Sequence, residues 1–260
     1  MLLKQRLLRR KEKDEQERRY NMYSFDSRIR YSEVDENGYL TIEKLIDYFQ
    51  DCSTFQSEFL GVGTLHLRER NLVWVVNSWQ IEIERFPKLT EKVTIGTFPY
   101  DFKGFMGYRN FFMQDEEGNY IAKANTLWVL LDSKTGKPTR PDDEHRNKYI
   151  CEEKLPMEYG SRKVTIAEEM EKGEAVEIKK HHLDTNHHVN NGQYVKICMD
   201  SLGEEVKNIS RFKVEYRKQA FLGDVLTPYV GERTLDDGRV AKIIRLDDQD
   251  GNPCCVLEIY

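Results

Sequence analysis

From residue 25 onward the chain changes its hydrophobic period in a fixed order. Phe25-Asp26-Ser27-Arg28-Ile29-Arg30-Tyr31 alternates apolar and polar, which predicts a strand. Glu33 to Leu40 is polar and contains Asn37-Gly38, a turn. Ile42, Leu45, Ile46, Phe49, Cys52, Phe55 and Phe59 then recur at helical spacing. This predicts a long helix over Thr41 to Phe59, with Thr41 near its cap and Gly61 and Gly63 beyond its end. Strand patterns follow over Leu72–Arg85, Lys92–Phe98, Phe105–Met113 and Tyr120–Leu131, the last two joined through Asp115-Glu116-Glu117-Gly118-Asn119. Pro138 and Pro141 stop the sheet pattern, and the charged, weakly periodic residues 142–173 predict a connection crossing the surface.

After that connection the order begins again, shorter. Ile178-Lys179 matches Ile29-Arg30, and Leu183-Asp184-Thr185-Asn186 matches Val34-Asp35-Glu36-Asn37, both at an offset of 149 residues. A helical pattern follows in Tyr194, Val195, Ile197, Cys198 and Leu202, about three turns long. Phe212-Lys213-Val214-Glu215-Tyr216 matches Ile81-Glu82-Ile83-Glu84-Arg85. Asp248-Gln249-Asp250-Gly251-Asn252 matches the hairpin turn at Asp115, and Val256 to Tyr260 reads as a last strand. Strand, helix and several antiparallel strands therefore occur twice. A long helix and a curved antiparallel sheet bury each other when the sheet wraps the helix, and two such units joined at their edges leave fewer open strands. The expected fold class is α+β, two tandem hotdog domains. The expected boundaries are a charged N-terminal segment 1–20, a first domain 21–150, a linker 151–173 and a second domain 174–260.

Composition narrows the field. The net charge is −5, and no basic-aromatic motif accompanies it, which argues against nucleic acid as the main partner. Residues 1–20 carry eight Lys/Arg and four Asp/Glu, with Leu2, Leu3, Leu7 and Leu8 on one helical face; a solvated helix or a surface anchor is expected there. This segment lacks the apolar core and cleavage site of a secretory signal. No apolar run is long enough to span a membrane. Five cysteines without regular spacing predict reduced thiols and a cytoplasmic protein.

The densest chemistry lies in His181-His182-Leu183-Asp184-Thr185-Asn186-His187-His188-Val189-Asn190-Asn191, which holds four of the six histidines. Packing does not require so many polar, titratable groups at a helix start, where a base, amides and free backbone N–H donors come together. Asp184-x-Asn186 alone is also what an Asx-turn or helix cap would show, and Asp35-x-Asn37 has the same form. The cluster lacks the Cys pair or Glu at ligand spacing that a metal site would carry, and His187 and His188 are adjacent, so no metal and no cofactor is expected. Cys198 falls on the apolar face of the following helix and is expected to be buried.

Leu183 to Tyr194 resembles the pattern D-x-N-x-H-V-N-N-x-x-Y of the acyl-acyl-carrier-protein (acyl-ACP) thioesterase family. Val214-Glu215-Tyr216-Arg217-Lys218-Gln219-Ala220 is similar to the plant enzymes' L-x-Y-R-R-E-C, and Trp79-Gln80-Ile81-Glu82-Ile83 adds a third likeness. The resemblance spans residues 22–260 and implies a tandem hotdog. It also implies hydrolysis of fatty acyl-ACP thioesters to free fatty acid and holo-carrier protein in fatty acid biosynthesis. An acyl-CoA thioesterase and a non-hydrolytic acyl-binding protein are the alternatives, and a homodimer is possible. By resemblance Asp184, Asn186 and His188 are catalytic. Gln219 and Ala220 stand where the plant motif has Glu and Cys, so a cysteine nucleophile at that position is excluded. Either Asp184 or His188 would activate the water, Asn186 would fix the water or the carbonyl, and Gln219 would help to position them. Backbone N–H groups at Val189 to Asn191 would serve the oxyanion. Tyr39 stands in the first copy where His188 stands in the second, so one site per chain is expected, with the first domain given over to the acyl chain. Of its bulky residues Phe49, Phe55, Trp74, Trp79 and Trp128, most are expected in the core and the rest along an acyl channel.

Overall fold

A computed structural model describes residues 22–202 and 209–260; the charged segment 1–20 lies outside the described residues. Among these residues eleven strands form one sheet. They are β1 (Tyr23–Arg28), β2 (Leu72–Ile83), β3 (Lys92–Lys103), β4 (Met106–Gln114), β5 (Tyr120–Asp132), β6 (Glu171–Lys172), β7 (Val176–Glu177), β8 (Arg211–Tyr216), β9 (Val225–Thr234), β10 (Val240–Asp247) and β11 (Pro253–Ile259). The strand order in the first copy is β1-β3-β4-β5-β2, and in the second β7-β9-β10-β11-β8, with β6 on the far side of β9. The two orders are the same. The copies meet where β2 pairs antiparallel with β8, Ser78 opposite Glu215 through Glu82 opposite Arg211. Each copy thus uses the other to satisfy a sheet edge.

One helix lies on the sheet in each copy: α1 (Ile42–Phe59) and, after the short helices α2 (Thr64–Glu69) and α3 (Asp143–Lys148), α4 (Asn191–Asp200). Thr41 and Asn190 are the two N-caps, at the same 149-residue offset. Only Asn190 caps with its side chain, whose Oδ1 accepts from the Gly192 N–H at 2.7 Å. Gly61, at φ +72°, takes the left-handed conformation that ends α1. Leu45, Ile46, Phe49 and Cys52 of α1 and Tyr194, Val195 and Cys198 of α4 belong to one continuous buried cluster with Trp79, Phe111, Val214 and Leu257 of the sheet. The helices touch through Gly192, whose absent side chain would sit 2.8 Å from the Asp47 carboxylate, and through Asn191 Nδ2, which donates to Gln50 Oε1 at 2.6 Å.

The connection after α3 runs over the outer face of the sheet and is firmly seated there. Leu155 and Met157 pack on Phe98 and Phe112, and Val164 and Ala167 on Ala241, Ile243 and Val256. Gln80 holds it with both ends of its amide, donating to the Glu158 carbonyl at 2.7 Å and accepting from the Gly160 N–H at 3.0 Å. The two hairpin turns repeat atom for atom. Asp115 Oδ1 accepts from the N–H groups of Glu117 and Asn119, and Asp248 Oδ1 from those of Asp250 and Asn252. Cys254 and Cys255 are both buried, so both are packing residues. The helix α2 and the strands β6 and β7 are too short to impose a period on the sequence.

Candidate active site

The loop before α4 is built by the same bonds as the loop before α1. A one-turn 3-10 helix (Lys180–His182, with Tyr31–Glu33 as its counterpart) leads into each. A bridge closes each, Leu183 with Val189 and Val34 with Leu40. Asp184 N–H donates to the His188 carbonyl and Asp35 N–H to the Tyr39 carbonyl, both at 2.8 Å. Asp184 Oδ1 accepts from the N–H groups of Asn186 at 2.8 Å and His188 at 3.1 Å. Asp35 Oδ1 accepts from Asn37 and Tyr39, each at 2.9 Å. Both Asp-x-Asn segments are therefore Asx-turns, and in the second copy one carboxylate oxygen is committed to holding the backbone of His188.

The copies differ in what this common frame presents. At the left-handed position the first copy has Gly38 (φ 80°) and the second His187 (φ 64°). A β-carbon there costs about 1–2 kcal/mol, so the second loop carries strain that the first avoids. At the next position Tyr39 lies under the Lys88 ammonium, 5.5 Å from the ring centroid. His188 is half-buried with its ring edge-on to Phe221, 5.1 Å between centroids. The side chains of Asn186 and His188 make no hydrogen bond to any described residue, so an amide and an imidazole stand free beside one turn. His182 is structural instead: its Nδ1 accepts from the Lys179 N–H at 3.0 Å. Its pKa is lowered by burial and then by the charge of the neighbouring His181 ring, tilted against it with centroids 4.1 Å apart. Among the described residues, no three of His, Cys, Asp and Glu gather as a metal site would require.

The second motif reaches the loop by its backbone. Val189 N–H donates to the Ala220 carbonyl at 3.0 Å, and the Tyr194 hydroxyl accepts from the Ala220 N–H at 2.7 Å. Burial pushes the Tyr194 phenol far above its ordinary pKa, so it remains a hydroxyl. These bonds bring Gln219 to the edge of the Asp184–His188 loop, exposed and without a protein hydrogen bond among the described residues. One expectation is corrected here. The Val189 and Asn190 N–H groups are not open to an oxyanion, because they donate to the Ala220 and His182 carbonyls, and the Gly192 N–H serves the cap. The bridge that closes the loop consumes the Asn190 donor, and the neighbouring Ala220 carbonyl consumes that of Val189. The Asn191 N–H is left without an acceptor among the described residues.

A cavity of about 430 Å³, counting the space at its mouth, lies in the first copy between the C-terminal half of α1 and the sheet. Ser53, Ser57, Trp74, Phe102, Trp128 and Tyr149 line it, with Arg109. Of the bulky residues singled out in the sequence, Phe49 and Trp79 are fully buried core. Trp74 and Trp128 face the cavity, and Phe55 is 43% exposed, against Phe25. The cavity wall and the second-copy loop are linked along α1. Gln50 meets Asn191, and Ser53 and Ser57 follow on the same helix at about 4.5 and 10 Å along its axis. Sequence reasoning missed Arg109, Tyr149 and Phe221. The first carried a signal: it alternates with Phe111 and Met113, which face the core.

Fold and site together define a tandem hotdog protein with an elaborated loop in the second copy and a lined cavity in the first. Models of the acyl-ACP thioesterase N-terminal domain and C-terminal domain match residues 20–149 and 157–253. The chain belongs to the acyl-ACP thioesterase family. It is 27% identical over 230 residues to oleoyl-acyl carrier protein thioesterase 2, chloroplastic, of Arabidopsis thaliana, covering 80% of this chain and 62% of that protein. It is 24% identical over 243 residues to acyl-[acyl-carrier-protein] hydrolase FATB2, chloroplastic, of Cuphea viscosissima, covering 85% and 58%. The chain thus spans about three fifths of the length of these curated relatives. The same fold is found in an acyl-ACP thioesterase from Bacteroides thetaiotaomicron (TM-score 0.81, 24% identity, 92% of this chain and 97% of that one). It is also found in the 12:0-ACP thioesterase from Umbellularia californica (TM-score 0.77, 21% identity, 92% and 96%).

Proposed function

We propose that this chain hydrolyses fatty acyl thioesters of acyl carrier protein, releasing the free fatty acid and the holo-carrier in fatty acid biosynthesis. One observation carries this reading beyond family membership. Two loops share a backbone frame to the hydrogen bond, yet only one presents a free imidazole and a free amide, at His188 and Asn186. A frame retained twice and furnished once is what one reaction centre per chain requires. The cavity in the other copy is the receptor for the acyl chain.

A thioester carbonyl is already activated, so its hydrolysis needs a base for water and donors for the oxyanion. His188 is the base: its ring nitrogens have no partner among the described residues, whereas Asp184 spends one oxygen on the turn. The imidazole takes a proton from water as the C–O bond forms. It returns that proton to sulfur as the C–S bond breaks, so the thiol leaves neutral. Asp184 holds His188 through its backbone and keeps its second oxygen at the same turn. The Asn186 amide and the Asn191 N–H donate to the carbonyl oxygen, and Gln219 orients the water at the rim. Phe221 excludes bulk solvent from one side of the ring.

The test is thiol release from carrier-bound and coenzyme A-bound acyl chains from C6 to C18, with the His188→Ala protein alongside. Turnover of the carrier series, lost in the variant, supports the reading. A preference for coenzyme A reassigns the substrate. Tight acyl binding without turnover of either series would make the protein an acyl-binding module.

A further inference from the structure

Arg109 stands out in the cavity of the first copy. It is only 8% exposed, on a strand whose next inward residues, Phe111 and Met113, are fully buried. Its Nη1 uses both hydrogens, on Gln56 Oε1 and on Thr97 Oγ1 at 3.1 Å. A guanidinium has five N–H donors. The three on Nε and Nη2 have no acceptor among the described residues, and no described carboxylate lies within ion-pair distance. The aromatic faces of Tyr149, 5.5 Å from Cζ, and Phe111, 6.0 Å, are the groups set against its charge. Burial lowers its pKa, though arginine stays charged at any physiological pH.

An unneutralised cation is an odd wall for a pocket that receives only hydrocarbon. Apolar chain against it gains nothing from the three free donors, and excludes the water that could satisfy them. Most of the rest of the wall is aromatic, and its hydroxyls are already engaged: Ser57 with Tyr149 at 2.8 Å, Ser53 with the Gln50 carbonyl at 2.8 Å, and Tyr108 with Met106 Sδ at 3.8 Å. The Trp74 Nε1–H is likewise taken, by His145 at 3.1 Å. Arg109 is thus the group lining this cavity with free donors to offer. Room beside it comes from Gly107, where a β-carbon would meet Phe102 and Trp74 at 3.3 and 3.4 Å.

We infer that the cavity selects acyl chains bearing an oxygen function near their far end, a carboxylate above all, and that Arg109 is the residue that reads it. This rests on the reading that the acyl chain enters the cavity. The guanidinium's desolvation is incurred on folding, so an arriving carboxylate gains charge-assisted, forked hydrogen bonds against a partner already stripped of water.

The test compares ω-carboxylated and unsubstituted acyl chains of equal length, C8 to C16, on the carrier protein. The expected result is a kcat/KM at least about tenfold higher for the ω-carboxylated chain at the lengths that reach Arg109, with Arg109→Met abolishing the preference and Arg109→Lys keeping part of it. Turnover of unsubstituted chains with no preference at any length in the wild-type protein overturns the inference and leaves the proposed function standing. That comparison needs no variant to fold. If no thioester is turned over, the proposed function fails and binding decides the inference. Tryptophan fluorescence, with Trp74 and Trp128 in the wall, is titrated with dodecanoic acid and with its methyl ester at pH 8. Tighter binding of the acid, lost in Arg109→Met, supports a carboxylate-reading cavity; equal binding, or none, overturns it.

Discussion

Asp184 has two functions in this reading, one in the turn and one in the chemistry, and a single isosteric change separates them. Asparagine keeps the oxygen that accepts the Asn186 and His188 N–H groups and is itself a good Asx-turn former. In Asp184→Asn both bonds, 2.8 and 3.1 Å in the native loop, survive with a neutral acceptor. A charged acceptor makes bonds roughly twice as strong, so the loss is about 1 kcal/mol over the pair, a fall in Tm of roughly 2–4 °C. The loss of the carboxylate's negative charge from the loop that carries His188 acts on turnover instead. Proton transfer by a positioned acid or base contributes about 10²–10⁴ in rate, so kcat should fall at least about a hundredfold while the fold persists. Asp184→Ala removes both bonds as well and should cost about 2 kcal/mol in addition to the same loss of rate. The first copy supplies the control. Asp35 makes the equivalent bonds, each at 2.9 Å, without chemistry, so Asp35→Ala should lower Tm by a similar amount and leave kcat unchanged. Steady-state thiol release and thermal unfolding on the four proteins decide the matter. If Asp184→Asn keeps kcat within about threefold of wild type, Asp184 is only a turn residue and the proposed mechanism is wrong.

Further expectations concern groups around that loop. His187→Gly should keep activity and hold or raise Tm, since Gly38 occupies the same left-handed position in the first copy; a hundredfold loss of kcat would make His187 a participant. Gln219→Ala should lower kcat about tenfold without moving Tm, because the side chain is exposed and makes no hydrogen bond to a described residue; an unchanged kcat would remove Gln219 from the site. Tyr194→Phe should lower both, by releasing the Ala220 N–H held at 2.7 Å; unaltered stability would refute the latch. His145 supplies a pH dependence. Burial first, and then the neighbouring His66, hold its pKa below the ordinary histidine value of 6.5 while its Nε2 accepts from Trp74. A depressed folded pKa means that the unfolded chain takes the proton first as pH falls. The stability is therefore complete above about pH 6.5 and is lost as pH drops through the lower folded value. Tm measured from pH 7.5 to pH 5 should fall less in His145→Gln, whose amide oxygen can still accept from Trp74; an equal fall in both proteins would refute the assignment.

The doubled order of strand, helix and strands was legible because each element buries one face, and burial writes a period of 2 or 3.6 into the residues. The repeat was legible for a further reason. Caps, Asx-turns and hairpin turns depend on side chains acting on their own neighbours, so Asp35 and Asp184, or Asp115 and Asp248, keep their identity and spacing wherever the turn is kept. For the same reason the sequence placed Asp184, Asn186 and His188 in one loop without any tertiary information. It could not say which N–H groups that loop would leave free. The donors of Val189 and Asn190 are consumed by carbonyls at Ala220 and His182, and whether such carbonyls lie within reach is a matter of how the strand and the loop pack.

Tertiary structure alone decided how the parts meet. The pairing of β2 with β8 joins residues far apart in the chain through backbone groups, which carry no side-chain signature. The seating of the 149–170 connection on the outer face of the sheet left little trace, because its contacts are scattered single residues such as Leu155, Val164 and Ala167. The cavity belongs to the same class. Its wall is drawn from α1, four strands and Tyr149, and an enclosed volume is a property of distances between segments rather than of any one of them. Arg109 lies between the two cases. Its place on an inward-facing position could be read from the alternation of β4, but only the packed structure shows that no carboxylate among the described residues arrives to meet it.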